Sequence, residues 1–260
     1  LVTHLHPDHS GCAGWLCERL GADLYMTREE YLLCRILVAD KGQPAPEDGK
    51  RLYHAAGFSE QQMRQYVERV GSFGQVVSAL PQSYHRLHDG MQLDIGAHQW
   101  QVIIGRGHSP EHACLYCEEL NVLISGDQVL PTISSNVGVW PTEPAANPLE
   151  DWFGSLRYLA AVLPDDVLVL PSHGKPFRGV KHRLGEWIAE HEDCLAQLRE
   201  LCREPRRAVD VFPVLFKGAV NDGNLIMAVS EAIAHLNFLC DRDELTVASD
   251  EQGVSWYVAS

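Results

Sequence analysis

The chain has 260 residues, 45% of them hydrophobic, which suits one large domain or a domain with a smaller appendage. Its formal net charge of −14 argues against a broad nucleic-acid-binding surface, because phosphate backbones attract basic proteins. No apolar run approaches the roughly 20 residues of a membrane-spanning helix, so no membrane association is predicted. The eight cysteines are scattered, which is typical of reduced thiols and predicts a cytoplasmic protein.

The first forty residues alternate between strand and helix patterns. "LVTH" is apolar and β-branched and predicts the end of a strand, and "SGCAGWLCERLG" predicts a helix that ends at Gly21. A second short strand, "ADLYMT", precedes a helix over residues 28–40 that Thr27 is expected to cap. The run from His4 to His9 then lies at the end of a strand, where ligands collect in α/β folds.

The middle of the chain predicts strand pairs flanked by helices. Residues 40–85 are polar and are interpreted as a helical insertion that lies over the strand end with the histidine run, with "KGQPAPEDGK" as a loop. Strand patterns follow in "MQLDI", "WQVIIG", "ACLYCEE" and "NVLISGDQ", and then come the helix "LEDWFGSLRYLAAVLP" and the strand "DVLVLPSHG". This order predicts an α/β protein with a mixed sheet, or two sheets, and helices.

From about residue 186 the pattern changes to helices followed by a hairpin. We therefore predict two domains, an α/β domain at 1–185 that contains the insertion at 40–85 and a winged-helix-like domain at 186–260. Residues 223–240, in the position of a recognition helix, contain no Lys or Arg. Because a helix that reads DNA should be basic, a packing role is favoured for this one.

Several candidate metal ligands lie at predicted strand ends. Two histidines two residues apart point to the same face of a strand, and the loop after them can turn the next side chains back toward them. Imidazole and carboxylate groups are typical zinc ligands. The candidates are His4, His6, Asp8 and His9 in "THLHPDH", His108 in "GRGHSPEH", Asp127 in "ISGDQ" and His173 in "VLPSHGKP".

Four segments, "THLHPDHSG", "GHSPEH", "SGDQV" and "PSHG", make the chain resemble the metallo-β-lactamase superfamily over residues 3 to 174. The resemblance implies a four-layer αββα sandwich with a dinuclear zinc site at its edge, and iron or manganese are alternative metals. It also implies that several strands precede the first segment, and we expect them before residue 1. Carried over by motif position, one metal is held by His4, His6 and His108, the other by Asp8, His9 and His173, and Asp127 bridges the two.

The implied activity is hydrolysis of an ester-like bond by a metal-bridging hydroxide, with Asp8 and Asp127 as the catalytic carboxylates. A thioester of a small molecule is the leading expectation, because a thiolate leaving group needs little acid assistance. The alternatives are a phosphodiesterase of the lactamase-like endoribonuclease type, a non-catalytic metal-binding regulatory protein and a structural zinc protein. A homodimer is an open alternative, and a nucleic-acid partner is not favoured.

Three further residues are predicted to contact the substrate. His112 follows His108 by four residues and is a candidate either for a group that supports the ligands or for a proton donor, although a histidine at the start of a strand is also commonly hydrogen-bonded to backbone. Asn136 and Trp140 lie in a proline-containing loop shortly after Asp127. This loop is equally compatible with a packing role.

Overall fold

Nine strands form three sheets in the computed structural model, which describes residues 1–260. In chain order the strands are β1 (Tyr25–Met26), β2 (His85–Arg86), β3 (Gln92–Ile95), β4 (His98–Gly105), β5 (His112–Cys117), β6 (Val122–Gly126), β7 (Leu168–Pro171), β8 (Leu245–Ser249) and β9 (Ser255–Ala259). Strands β3 to β7 form one sheet in sequence order, β1 and β2 form a parallel pair, and β8 and β9 form an antiparallel hairpin.

Ten α-helices and one 3₁₀ helix accompany the strands. The α-helices are α1 (Pro7–Ser10), α2 (Ala13–Leu20), α3 (Arg28–Ala39), α4 (Glu47–Ala55), α5 (Glu60–Arg69), α6 (Phe73–Val76), α7 (Pro148–Val162), α8 (Val180–Leu201), α9 (Phe212–Leu215) and α10 (Leu225–Asp241). The 3₁₀ helix spans Ala208–Val211. None of these helices combines the length and the apolar character needed to cross a bilayer.

The five-stranded sheet brings the ends of four strands to one edge. The pairs β3–β4, β4–β5 and β5–β6 are antiparallel, and Gly105 at the end of β4 pairs with His112 at the start of β5. Strand β7 runs parallel to β6, so their C-terminal ends lie side by side. The loops after β4, β6 and β7 therefore leave the sheet at the same edge.

The chain divides into two compact units, each composed of several segments. The first contains Leu1–Gln43, Val70–Ser135 and Trp152–Glu186, and the second contains Pro44–Arg69, Asn136–Asp151 and Trp187–Ser260. In the second unit, α10 buries most of its residues and the aromatic rings of Tyr53, Phe58 and Tyr66 pack together. Helices followed by a hairpin occur there as predicted, whereas the winged-helix interpretation and the domain boundary at residue 186 stay predictions.

The mixed sheets and helices confirm the expected α/β class, but three local predictions were wrong. Residues 1–4 form no strand. Val2 N–H donates to the Tyr25 carbonyl and Ala113 N–H donates to the Thr3 carbonyl, but these two hydrogen bonds are not continued as a β-ladder. The predicted loop at 41–50 ends early, because α4 begins at Glu47. Thr27 does not cap α3, because its hydroxyl donates to the carbonyl oxygen of Glu111.

Candidate metal centre

The first histidine segment lies at the ligand-bearing edge of the sheet. Ala113 N–H, at the start of β5, donates to the Thr3 carbonyl, which places the following residues beside the loops after β4 and β6. Pro7 then starts the short helix α1, whose first turn is closed by bonds from His9 N–H and Ser10 N–H to the His6 carbonyl. Because of this turn, the His9 ring points back toward His4, as the sequence predicted, with the ring centroids 4.2 Å apart. Asp8 instead faces His173, with Oδ2 3.1 Å from Nε2.

The seven predicted ligands form two groups that share one carboxylate. The ligand atoms of each group lie within 4.8 Å of one another. The first group contains His4, His6, His108 and Asp127, and the second contains Asp8, His9, His173 and Asp127.

The two oxygen atoms of Asp127 face different groups. Its Oδ2 lies 3.8 Å from His4 Nε2 and 3.6 Å from His108 Nε2. Its Oδ1 lies 3.3 Å from His9 Nε2 and 3.6 Å from His173 Nε2. One carboxylate can therefore give one oxygen to each of two ions, which is the geometry of a bridging ligand.

The donor atoms of the first group are spaced as ligands of a single ion. His4 Nε2 lies 3.0 Å from His6 Nδ1 and 3.3 Å from His108 Nε2. Zinc–nitrogen bonds of about 2.0–2.1 Å place tetrahedral donors roughly 3.3–3.4 Å apart. In the second group, the buried Nε2 of His9 lies 3.3 Å from Asp127 Oδ1 and 3.4 Å from Asp8 Oδ2 yet forms a hydrogen bond with neither. A metal ion fits both observations.

The protonation states of the first group also suit a bound metal ion. Burial, together with the neighbouring histidines, holds the pKa of His4 far below its usual range and lowers the pKa of His6 to about 3. Burial opposes ionisation of Asp127, but contacts with His108, His9 and Ser172 hold the pKa of its carboxyl well below its usual range. Neutral imidazoles and an ionised carboxylate are the forms that bind metal.

Asp127 is held at three places by neighbouring side chains. Ser172 donates to its Oδ1, and Ser135 donates to its carbonyl oxygen. Its N–H donates to His112 Nε2 at 3.0 Å. The preceding Gly126 has a φ of +52°, and a Cβ atom there would lie 2.5 Å from His112 Cε1, so this close approach requires glycine. The bridging carboxylate is therefore positioned before any ion is bound.

His112 lies next to the candidate ligands, in contact with Asp127 and His4. Its side chain is fully buried at the start of β5. Its Nε2 accepts from Asp127 N–H, and its ring packs against His4 with the centroids 4.6 Å apart. This placement matches the backbone-bonded alternative and gives His112 the role of supporting Asp127.

Asn136 and Trp140 belong to the second compact unit. The Asn136 amide donates to Glu231 Oε2 at 2.7 Å and to the Met227 carbonyl, whereas the Trp140 side chain is 38% exposed. The structure gives Asn136 a role in holding its loop to α10. A substrate contact at either residue stays a prediction.

Sequence reasoning missed Glu30, Ser135 and Ser172. Ser172 directly precedes His173, so its proximity to the site could have been noticed. Glu30 is fully buried on α3, and its carboxylate accepts hydrogen bonds from the N–H groups of Leu5 and Glu111. The only sequence signal for Glu30 is its spacing from Cys34, because residues four positions apart lie on the same face of a helix.

The fold and the whole chain resemble solved structures. A β-lactamase domain protein from Burkholderia ambifaria is 38% identical, with a TM-score of 0.89, and the match covers 100% of this chain and 74% of that one. A metallo-β-lactamase family protein from Thermus thermophilus is 29% identical, with a TM-score of 0.83, and the match covers 99% of this chain and 78% of that one.

Curated proteins and family models agree with this likeness. The chain is 24% identical to a protein of Bacillus subtilis named probable metallo-hydrolase YqjP, over 95% of this chain and 76% of that protein. Residues 195–260 match the model of the metallo-beta-lactamase-like C-terminal domain, and residues 1–173 match that of the metallo-beta-lactamase superfamily. The superfamily model matches two thirds of the chain, and the centre that shares Asp127 lies inside the matched region. The chain therefore belongs to the metallo-β-lactamase superfamily.

Proposed function

We propose that this protein is a metal-dependent hydrolase that cleaves the thioester bond of a small molecule, with zinc as its metal. The observation that carries the hydrolase function is the sharing of Asp127 between two donor groups, one oxygen toward each. Two bound metal ions would supply an activated water and polarise the bond to be cleaved. Imidazole and carboxylate donors suit zinc, and iron and manganese are the alternative metals.

The protein's own residues hold this chemistry in place and leave it accessible. His4, His108 and Asp127 are buried, which fixes their positions and keeps bulk water from the first group. Asp8 and His173 in the second group have side chains that are 54% and 47% exposed. We infer that the substrate approaches from the side of the second group, where these two residues face solvent.

The placement of His112 supports a substrate with a good leaving group. Its Nε2 already accepts the Asp127 N–H bond and its ring is buried, so it is not positioned to donate a proton to a departing group. A thiolate departs with little protonation, whereas alkoxide and amine leaving groups depend more on an acid. A thioester therefore fits this centre better than an amide or a phosphodiester.

Thiol release from glutathione and coenzyme A thioesters by the zinc-loaded protein tests the proposal. Asp127→Ala should abolish release, because the variant loses the ligand common to both groups. Asp94→Ala, an exposed position on β3, is the matched control and should retain release. A folded, metal-loaded protein that releases no thiol would exclude thioesters, and cleavage of short RNA or phosphodiesters would then support the endoribonuclease alternative.

A further inference from the structure

We propose that Glu30 is a positioning residue that sets the distance between the two segments supplying the histidines of the first group, and that it thereby sets the metal affinity of that group. The inference rests on the proposed metal-dependent function. Glu30 touches neither the candidate ligand atoms nor a substrate, so its effect passes through the backbone that carries the ligands.

The carboxylate of Glu30 joins two segments that are far apart in the chain. Its Oε2 accepts a hydrogen bond of 2.8 Å from Leu5 N–H, and Leu5 lies between His4 and His6. Its Oε1 accepts a hydrogen bond of 2.8 Å from Glu111 N–H, three residues after His108. The same side chain therefore contacts both segments that provide the three histidines of the first group.

Burying an ionised carboxylate costs free energy unless hydrogen bonds compensate for the lost hydration. Glu30 is fully buried, and burial raises the pKa of its carboxyl, whereas hydrogen bonds from the Glu111 and Leu5 N–H groups lower it. Hydrogen bonds to an ionised acceptor are stronger than neutral ones. Without Glu30, two backbone donors next to the metal ligands would have to find other partners.

Residues at the start of α3 form two more hydrogen bonds to the segment that follows His108. The Thr27 hydroxyl donates to the Glu111 carbonyl at 2.8 Å, and Glu29 N–H donates to Glu111 Oε2 at 3.0 Å. Helix α3 is itself fixed, because its residues Tyr31 and Cys34 are buried in the same apolar cluster as Leu5. A rigid helix end therefore holds both ligand-bearing segments.

These contacts predict an effect on one of the two groups. Glu30→Gln keeps the size of the side chain but turns one acceptor into an NH₂ group that opposes a backbone N–H. Substitutions of residues that orient ligands typically lower metal affinity about 10- to 100-fold. We expect such a loss for the first group, whereas Asp8, His9 and His173 of the second group have no bond to Glu30 and should keep their affinity.

The experiment titrates metal-free protein with Zn²⁺ in competition with a chromophoric chelator, and then with Co²⁺ to follow the absorption of each site. Glu29→Gln is the matched control, because it removes the same charge from the neighbouring residue. The Glu29 side chain is exposed, and its ion-pair partner is Arg106. Glu30→Gln should bind one equivalent about 10- to 100-fold more weakly and show a changed Co²⁺ spectrum for that equivalent only. Glu29→Gln should match the wild-type protein.

The outcomes separate this inference from the proposed function. A wild-type protein that binds no metal would overturn both. A wild-type protein that binds two ions, beside a folded Glu30→Gln variant with unchanged affinity, would overturn the role of Glu30 alone. If Glu30→Gln does not fold, amide exchange in the metal-free wild-type protein decides: slow exchange at Leu5 and Glu111 supports the inference, and fast exchange at either contradicts it.

Discussion

Replacing His112 with Ala should weaken both the fold and the metal centre. The substitution leaves the buried Asp127 N–H without its acceptor, which costs about 1–3 kcal/mol. It also leaves a cavity where a fully buried ring packed against His4, and such a cavity adds roughly 2 kcal/mol or more. We expect the free energy of unfolding to fall by about 3–5 kcal/mol and the metal affinity to fall about 10- to 100-fold.

Urea unfolding and zinc titration of the same samples would measure both effects. His235→Ala is a matched control, because His235 is also buried but bonds to Glu231 and His191 in the second unit. The control should lose stability without losing metal affinity. If His112→Ala binds zinc as tightly as the wild-type protein, His112 does not position Asp127 and the reasoning is wrong.

Three other perturbations have expected outcomes. Gly126→Ala should lower the free energy of unfolding by at least about 1–2 kcal/mol in urea titrations and weaken zinc binding, because Ala at a φ of +52° is strained and its Cβ collides with His112. Burial raises the pKa of Glu231 to about 7, so the folded state holds a proton that the unfolded state loses near the ordinary value of 4.5. Stability should therefore fall by up to about 3 kcal/mol as pH rises from about 4.5 to 7, and Glu231→Gln should remove this dependence relative to the wild-type protein in unfolding measured at pH 5 and pH 8. Removing metal with a chelator should lower the unfolding free energy by about 4 kcal/mol per site when the free metal had been 1,000-fold above its dissociation constant, and calorimetry with and without chelator tests this.

The ligand positions could be predicted because their signals are local. His4, His6, Asp8 and His9 occur in one short segment, and the other candidates directly follow apolar strand patterns. The order of the sheet then brings these strand ends to one edge. Residue types and strand ends are enough to predict His108, Asp127 and His173. The first segment is predicted from its residue types alone, because residues 1–4 form no strand.

The supporting residues could not be predicted in the same way, because their partners are backbone atoms of distant segments. Glu29 and Glu30 are adjacent acids on one helix, yet one is exposed and the other binds two remote N–H groups. The role of His112 likewise depends on where β6 ends, because Asp127 N–H directly after this strand donates to its ring. Such contacts are set by the register between strands, which residue patterns alone do not specify.

The organisation into units also depends on long-range packing. Residues 40–85 were expected to form one insertion over the site, and that position stays a prediction. Of these residues, Pro44–Arg69 belong to the same compact unit as Trp187–Ser260. Val209 N–H donates to the Ala56 carbonyl, and His54 Nε2 lies 2.8 Å from the Gln252 carbonyl. These bonds join residues about 150 or more positions apart, and nothing in the local composition of either segment indicates the pairing.

The number of metal ions bound per chain tests the central claim most directly. Zinc-saturated protein, freed of excess metal and analysed by atomic spectrometry, should hold two ions, and Asp127→Ala should lose affinity at both sites because the two donor groups share its carboxylate. One ion per folded wild-type chain, or an Asp127→Ala variant that keeps two tightly bound ions, would contradict the account.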